Sequence, residues 1–200
     1  MQDPHHYYII YKPYRMVSQF ISNDHQQRRK RFLGELTSFP EGSMAVGRLD
    51  EKSEGLLLIT TNGKWSDQIN RSDSVDKEYY VQVDGTIDEI AIESLRNGVF
   101  IGINGRKYKT KECEVELLEQ IPDLPATVQK IRDDRHGPTS WLRIILHEGK
   151  FRQIRKMTSA VGFPTLRLAR IRIGDFKLDQ LNNESCMKLS QKDIEKYFTL

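Results

Sequence analysis

The 200-residue sequence holds only two cysteines, Cys113 and Cys186, far apart and with no histidine at metal-ligand spacing. That excludes a disulfide framework and a zinc-finger arrangement, and both are read as reduced structural thiols. The His5-His6 pair is read as an inert terminal pair, so no metal is assigned. Long apolar runs are lacking too. None approaches the ~20 residues that span a bilayer, and Met1 to His6 has no cationic region followed by an apolar one. Neither a membrane span nor an export signal is read, and the expected location is cytoplasmic. An excess of one charge is also missing. Lys and Arg number 31 against 28 Asp and Glu, a net +3, too small a balance to specify a polyanionic partner. No linker, repeat or low-complexity segment divides the chain.

What is present suffices for one substantial core. The 38% hydrophobic and 9% aromatic content can fill it, while 30% charged residues and a mean hydropathy of -0.60 give a well-solvated surface. The cations are unevenly placed. From Gly149 to Gly174 there are seven Lys or Arg residues and no acid, and a second cluster runs through Arg28-Arg29-Lys30-Arg31 beside His25. Each could be a solvated face, yet a polyanion would favour both by counterion release, so RNA enters as a candidate partner.

Periodicity supplies the elements. Tyr7 to Tyr11 reads as a strand ending at Lys12-Pro13, Leu56 to Thr61 as a strand buried on both faces, and Tyr79 to Val83 as a strand with two faces of different polarity. Strands are also expected at Val99 to Ile103 and Tyr108 to Leu118, joined near Asn104-Gly105, and at Trp141 to Leu146. Helices are expected around Phe32 to Phe39, after a Thr86/Glu89 capping box with Ile87, Ile90, Ala91 and Leu95 inward, over Phe151 to Val161, and from Ser190 with Asp193 in its first turn. Ile121 to Thr139, with three prolines, is expected to be a long surface loop. The pattern is α+β.

Gly47-Arg48-Leu49-Asp50 alone is a weak signal, since an Asp in a loop commonly caps a turn. Its neighbours change the reading. An apolar strand follows it, and far along the chain comes an Arg-rich helix on which Arg152, Arg155 and Lys156 are expected to share a face.

Three motifs in fixed order carry a resemblance. Gly47-Arg48-Leu49-Asp50-Glu51-Lys52-Ser53-Glu54-Gly55-Leu56-Leu57, continuing to Asn62-Gly63, resembles the catalytic motif of the pseudouridine synthases that act on small- and large-subunit ribosomal RNA. Lys77-Glu78-Tyr79-Tyr80-Val81 is similar to that family's Lys-x-Tyr-x-Val strand, and Glu148 to Met157 to its basic helix. Lys12-Pro13-Tyr14, Val17 to Phe20, Pro138 to Leu142 and Val161 to Leu168 extend the similarity over Tyr8 to Asp179, in particular toward the E type among the large-subunit enzymes.

The resemblance implies one catalytic domain over residues 1–200, a mixed, mainly antiparallel sheet in two joined lobes around a central cleft, flanked by helices and loops. It implies that Asp50 is the catalytic carboxylate, with Tyr79 stacking on the uracil or relaying a proton and Arg155 holding Asp50 charged. An Asp is already ionised in neutral water, with a reference pKa of ~3.9, so such an arginine would oppose desolvation rather than create the charge. Arg48 is expected to fill the space left by the flipped uridine, and Lys150, Arg152, Lys156 and Arg167 to meet phosphates. The implied partner is structured RNA, in particular 23S ribosomal RNA, taken up by a monomer with no membrane and no cofactor. Relatives often carry an N-terminal RNA-binding domain of the ribosomal S4 kind, and none is expected before Tyr7. Two other readings compete: a non-catalytic ribosome-assembly factor of the same fold, and a basic RNA-binding module of unrelated fold that would have no use for Asp50.

Overall fold

Seven consecutive residues of β3 (Glu54–Thr60) are all buried, the mark of a strand covered on both faces. The computed structural model of this protein describes residues 4–21, 30–72, 74–131 and 134–198. The chain forms two compact units, one of Met1–Val75 with Arg170–Leu200 and one of Asp76–Ala169, and β3 is the spine of the first. β1 (Tyr7–Lys12) pairs with it antiparallel along one edge, and β11 (Cys186–Leu189) extends the sheet beyond β1. β2 (Met44–Val46) pairs with the end of β3. At the start of β3, Gly55 adopts φ +111, and a Cβ there would lie 2.2 Å from the Arg170 carbonyl oxygen. Only glycine lets the two backbones approach so closely.

Alternation along β1 and β3 sends side chains into two clusters. Ile9, Leu56 and Leu58 pack with Trp65, Ile69 and Ile194 on one face. Ile10, Leu57 and Ile59 pack with Met16 and Leu33 on the other. The first cluster is closed by α1 (Gly63–Arg71) and α4 (Gln191–Tyr197). Helix α4 starts as its sequence suggests, with Ser190 as cap and Asp193 completing the capping box. Helix α1 was not expected, because its inward face amounts to Trp65 and Ile69 in an otherwise polar run. Its signal was Asn62, whose side chain accepts from the Trp65 amide at 3.1 Å. The helix expected around Phe32 to Phe39 is a single 3-10 turn, Leu33–Glu35. Gly34 and the Thr37-Ser38 pair do not sustain a longer one. The Arg28-Arg29 and His25 part of the second basic cluster lies outside the described residues.

In the second unit β4 (Lys77–Asp84) pairs antiparallel with β8 (Thr139–Leu146) over its full length, and β7 (Glu114–Leu118) pairs with β8. The stretch Tyr108 to Leu118 is therefore two strands. β5 (Phe100–Ile103) and β6 (Arg106–Lys109) make a separate hairpin, after which Thr110 and Cys113 bond to Val99 and Arg96 and carry the chain to β7. Helix α2 (Glu89–Arg96) begins later than the Thr86 capping box suggests. Asp88, a stronger cap than threonine, accepts from the Ala91 amide at 2.8 Å. Its inward stripe is Ala91, Ile92 and Leu95, whereas Ile90 is 80% exposed. The described residues among 121–138 hold one short 3-10 turn, Asp134–His136, and otherwise form a loop. Helix α3 (Gln153–Ala160) is shorter than the expected Phe151 to Val161. β9 (Thr165–Ile173) has residues 165–169 in the second unit and 170–173 in the first, where β10 (Phe176–Lys177) pairs with it. The class is α+β, with four α-helices and a mixed sheet among the described residues. No helix of the described residues is long and apolar enough to cross a membrane.

Candidate active site

Leu49 is 6% exposed, so its own backbone polar groups need protein partners. The Ser18 hydroxyl supplies both, donating to the Leu49 carbonyl at 2.8 Å and accepting from the Leu49 amide at 2.9 Å. Asp50 follows, half-buried, and its carbonyl accepts from the Ser53 amide at 3.0 Å to close a tight turn. Next along, the Arg15 amide donates to the Glu51 carbonyl at 2.8 Å, with Arg15 itself at φ 63. Lys30 pairs with the Glu51 carboxylate at 3.0 Å. Before the motif Gly47 takes φ +68, and a Cβ there would meet Asn70 Oδ1 at 3.0 Å. Asp50 thus stands on a loop held at Leu49 before it, at Glu51 after it and by the turn to Ser53.

A buried cation lies with that loop. Lys12 has no exposed surface, and its ammonium donates to the carbonyls of Pro13 and Met16 at 2.9 and 2.7 Å. Burial pulls its pKa down to about 7; Glu54, then Asp50 and Glu51, hold the proton on, while Arg170 works against them. Arg170 was counted with the basic surface cluster but is 4% exposed. Its Nε donates to the Leu56 carbonyl at 2.7 Å, a structural bond inside the first unit. Arg172 also lies in the first unit and donates to the Gly174 carbonyl at 2.7 Å. The run of seven cations is therefore divided. Lys12 and Ser18 were noticed only as parts of motifs, and Lys12-Pro13 beside an apolar strand was the available signal.

Arg48 and Asp50 belong to the first unit, and the other predicted site residues to the second. Tyr79 is on β4 opposite Ile144 and is 9% exposed. Arg155 is in the first turn of α3, half-buried, with Nη1 3.4 Å from the Thr165 carbonyl. Arg152 does not share a helical face with it. It is the exposed N-cap residue of α3 in the left-handed conformation, φ 53. Lys150 stands over the Tyr108 ring at 5.1 Å, and Lys156 over Phe151 at 5.0 Å. Arg167 donates from Nη2 to the Pro125 carbonyl at 2.7 Å, tying down the long loop.

The turn before α3 is built around Glu148, 8% exposed. Its carboxylate accepts from the Lys111 amide at 2.9 Å and from Gln153 Nε2 at 2.7 Å, and bonds the Tyr108 hydroxyl at 2.5 Å. Gln153 in turn accepts from the Lys150 amide at 2.9 Å. The basic segment is thus as firmly held as the Asp50 loop. Chemically, the first unit offers a carboxylate on a rigid loop next to a buried ammonium, able to keep its charge, take a proton or attack an electrophilic carbon. The second offers an aromatic hydroxyl on a strand and a row of cations.

Residues 6–160 match the family described as RNA pseudouridylate synthase. The chain is 38% identical over 174 residues to a ribosomal large subunit pseudouridine synthase E of Xanthomonas axonopodis pv. citri (strain 306), covering 86% of this chain and 88% of that one. It is 36% identical over 174 residues to the protein of the same name from Vibrio parahaemolyticus serotype O3:K6, covering 86% and 69%. Among solved structures, one titled as the crystal structure of pseudouridylate synthase superposes with a TM-score of 0.74 at 26% identity, over 98% of this chain and 75% of that one. The human RNA pseudouridylate synthase domain containing 1 shares the fold at a TM-score of 0.53 and 15% identity, over 94% and 80%.

Proposed function

This chain belongs to the RNA pseudouridylate synthase family, and from that premise we propose that Asp50 is the carboxylate with which it isomerises uridine in ribosomal RNA. The activity itself, conversion of a ribosomal RNA uridine to pseudouridine, follows from the family and its relatives. In that reaction the bond from C1′ to N1 breaks and one from C1′ to C5 forms, with a proton lost at C5 and gained at N1. Atoms and electrons balance without any co-reactant, so a group that stabilises the detached sugar or base is what the protein must supply.

The observation that carries the assignment is the fixed loop. Ser18 pins Leu49 from both sides and the turn to Ser53 closes behind Asp50, so this carboxylate is held ready before substrate arrives. The positive charge of Lys12 acts with it. Whether as nucleophile or as base toward the ribose, the group must be in one place, and the loop serves both. Tyr79 and Arg155 join it on the strength of the family motifs that contain them, Tyr79 to stack on uracil or relay the C5 proton and Arg155 to keep the carboxylate ionised. Arg48 is taken to replace the flipped uridine in its helix. Lys150, Arg152, Lys156 and Arg167 are taken to lie against phosphates.

The large-subunit names of the relatives support 23S ribosomal RNA as the substrate; in the proposed reading a monomer acts on it in the cytoplasm, residues 1–200 working as one catalytic domain. Mapping pseudouridines in 23S RNA of cells lacking the protein tests this. One site should disappear, return with the wild-type gene and stay absent with Asp50→Ala. An unchanged map, or restoration by Asp50→Ala, would overturn the assignment.

A further inference from the structure

The β5–β6 hairpin enters the site just described through Tyr108, which meets Glu148 and Lys150, and its composition is unusual. Residues 100–111 carry Arg106, Lys107, Lys109 and Lys111 and no acid, and residues 149–156 carry four more cations, again without an acid. The two segments are locked together inside the second unit. Glu148 bonds Tyr108 and Lys111 on the hairpin side and Gln153 on the helix side. Lys156 donates to the Gly102 carbonyl at 2.8 Å. Ile101 and Tyr108 lie opposite each other on the inward face, with Ile101 4% exposed; Lys107 alternates outward, and Arg106, on the inward face but next to the turn, is exposed as well. Beside them Phe151 is 67% exposed under the Lys156 ammonium. At the other end Phe100 and Lys109 border the cap residue Asp88 and Glu89 and Glu93 of α2, so carboxylates bound the surface on that side.

We propose that the far end of the β5–β6 hairpin and the turn before α3 form a single docking surface for the RNA strand flanking the target uridine, phosphates lying on Arg106, Lys107 and Lys150. This rests on the reading of the chain as an RNA-modifying enzyme and adds to the basic helix motif a hairpin that none of the three motifs contains. The chemistry fits that partner. Cations separated by an exposed aromatic ring suit a flexible strand, whose phosphates pair with the cations and whose bases stack. The Glu148 carboxylate is consumed by its hydrogen bonds within the unit, so it fixes the hairpin's position without presenting a repelling charge outward.

The test measures binding of a large-subunit ribosomal RNA transcript by the full chain across a salt series, together with initial rates of pseudouridine formation. Arg106→Ala/Lys107→Ala should weaken binding about threefold to tenfold. It should also lower the slope of log K against log salt by about 1.4, at about 0.7 per phosphate contact on a single strand. KM should rise while kcat stays unchanged, and Arg106→Lys/Lys107→Arg should restore both. Lys177→Ala/Lys192→Ala, two exposed lysines of the first unit, should leave the slope as it is. An unaltered slope for the hairpin variant, an equal loss for the control, or a fall in kcat alone would overturn the proposal. Failure of the wild-type protein to make pseudouridine would instead count against the enzyme reading, since the binding arm needs no turnover.

Discussion

At the scale of single residues, two side chains set the Asp50 loop. Ser18 is 7% exposed and serves both polar groups of the Leu49 backbone. In Ser18→Ala those groups stay buried without partners, which should cost about 1–3 kcal/mol. Because the carboxylate then loses its fixed position, kcat should fall while KM for RNA holds. Denaturant unfolding and initial rates read the two effects, and Ser18→Thr, which keeps the hydroxyl, should recover both. Lys12 gives a pH-dependent effect. Its folded pKa of about 7 lies below the ordinary 10.5. Between those values the unfolded chain binds the extra proton, so the Lys12 contribution to stability rises with pH through that window and is lost as pH falls through about 7. The limit is about 1.4 kcal/mol per pH unit. Lys12→Met should flatten the rise seen by guanidinium unfolding between pH 7 and 9.5; an unchanged slope would show that the buried ammonium keeps its ordinary pKa.

Elements differ in how much of their structure the sequence exposes. Strands β1, β3, β4 and β8 and helix α4 were legible because each carries a local code: an apolar run, an alternation, or a cap with its box. Asp50 could be singled out as a candidate only through its motif, since loop geometry has no periodicity. What was hidden depends on partners remote in sequence. Helix α1 is polar except for Trp65 and Ile69, and its inward side is defined by Tyr7, whose ring meets Trp65 edge-on at 5.1 Å. The burial of Arg170 is set by Gly55, more than a hundred residues earlier. The same dependence yields two contrasting variants. Gly55→Ala places a methyl where the Arg170 backbone already stands, at a positive φ, and should destabilise by well over about 1 kcal/mol. Asn62→Ala removes the cap of α1 and the bond from Asn62 Nδ2 to the Tyr7 hydroxyl, leaves the backbone in place and should cost about 1–2 kcal/mol, with turnover unchanged. Thermal melts of both variants compare them directly.

For the molecule as a whole, a net charge of +3 conceals a local arrangement. In the first unit Lys12 and Arg170 are turned inward, where they serve the fold. In the second, Arg106, Lys107 and Arg152 are turned outward, where RNA can reach them. On the proposed assignments catalysis and docking draw on different residues, which should separate by mutation. The most direct measurement is the release of tritium from large-subunit ribosomal RNA labelled at C5 of uridine, comparing wild type with Asp50→Ala at equal RNA occupancy. Wild type should release tritium as the C5 proton leaves, and Asp50→Ala should lose about a hundredfold or more in rate with binding kept. Substantial release by Asp50→Ala would contradict the assignment of Asp50 as the catalytic carboxylate.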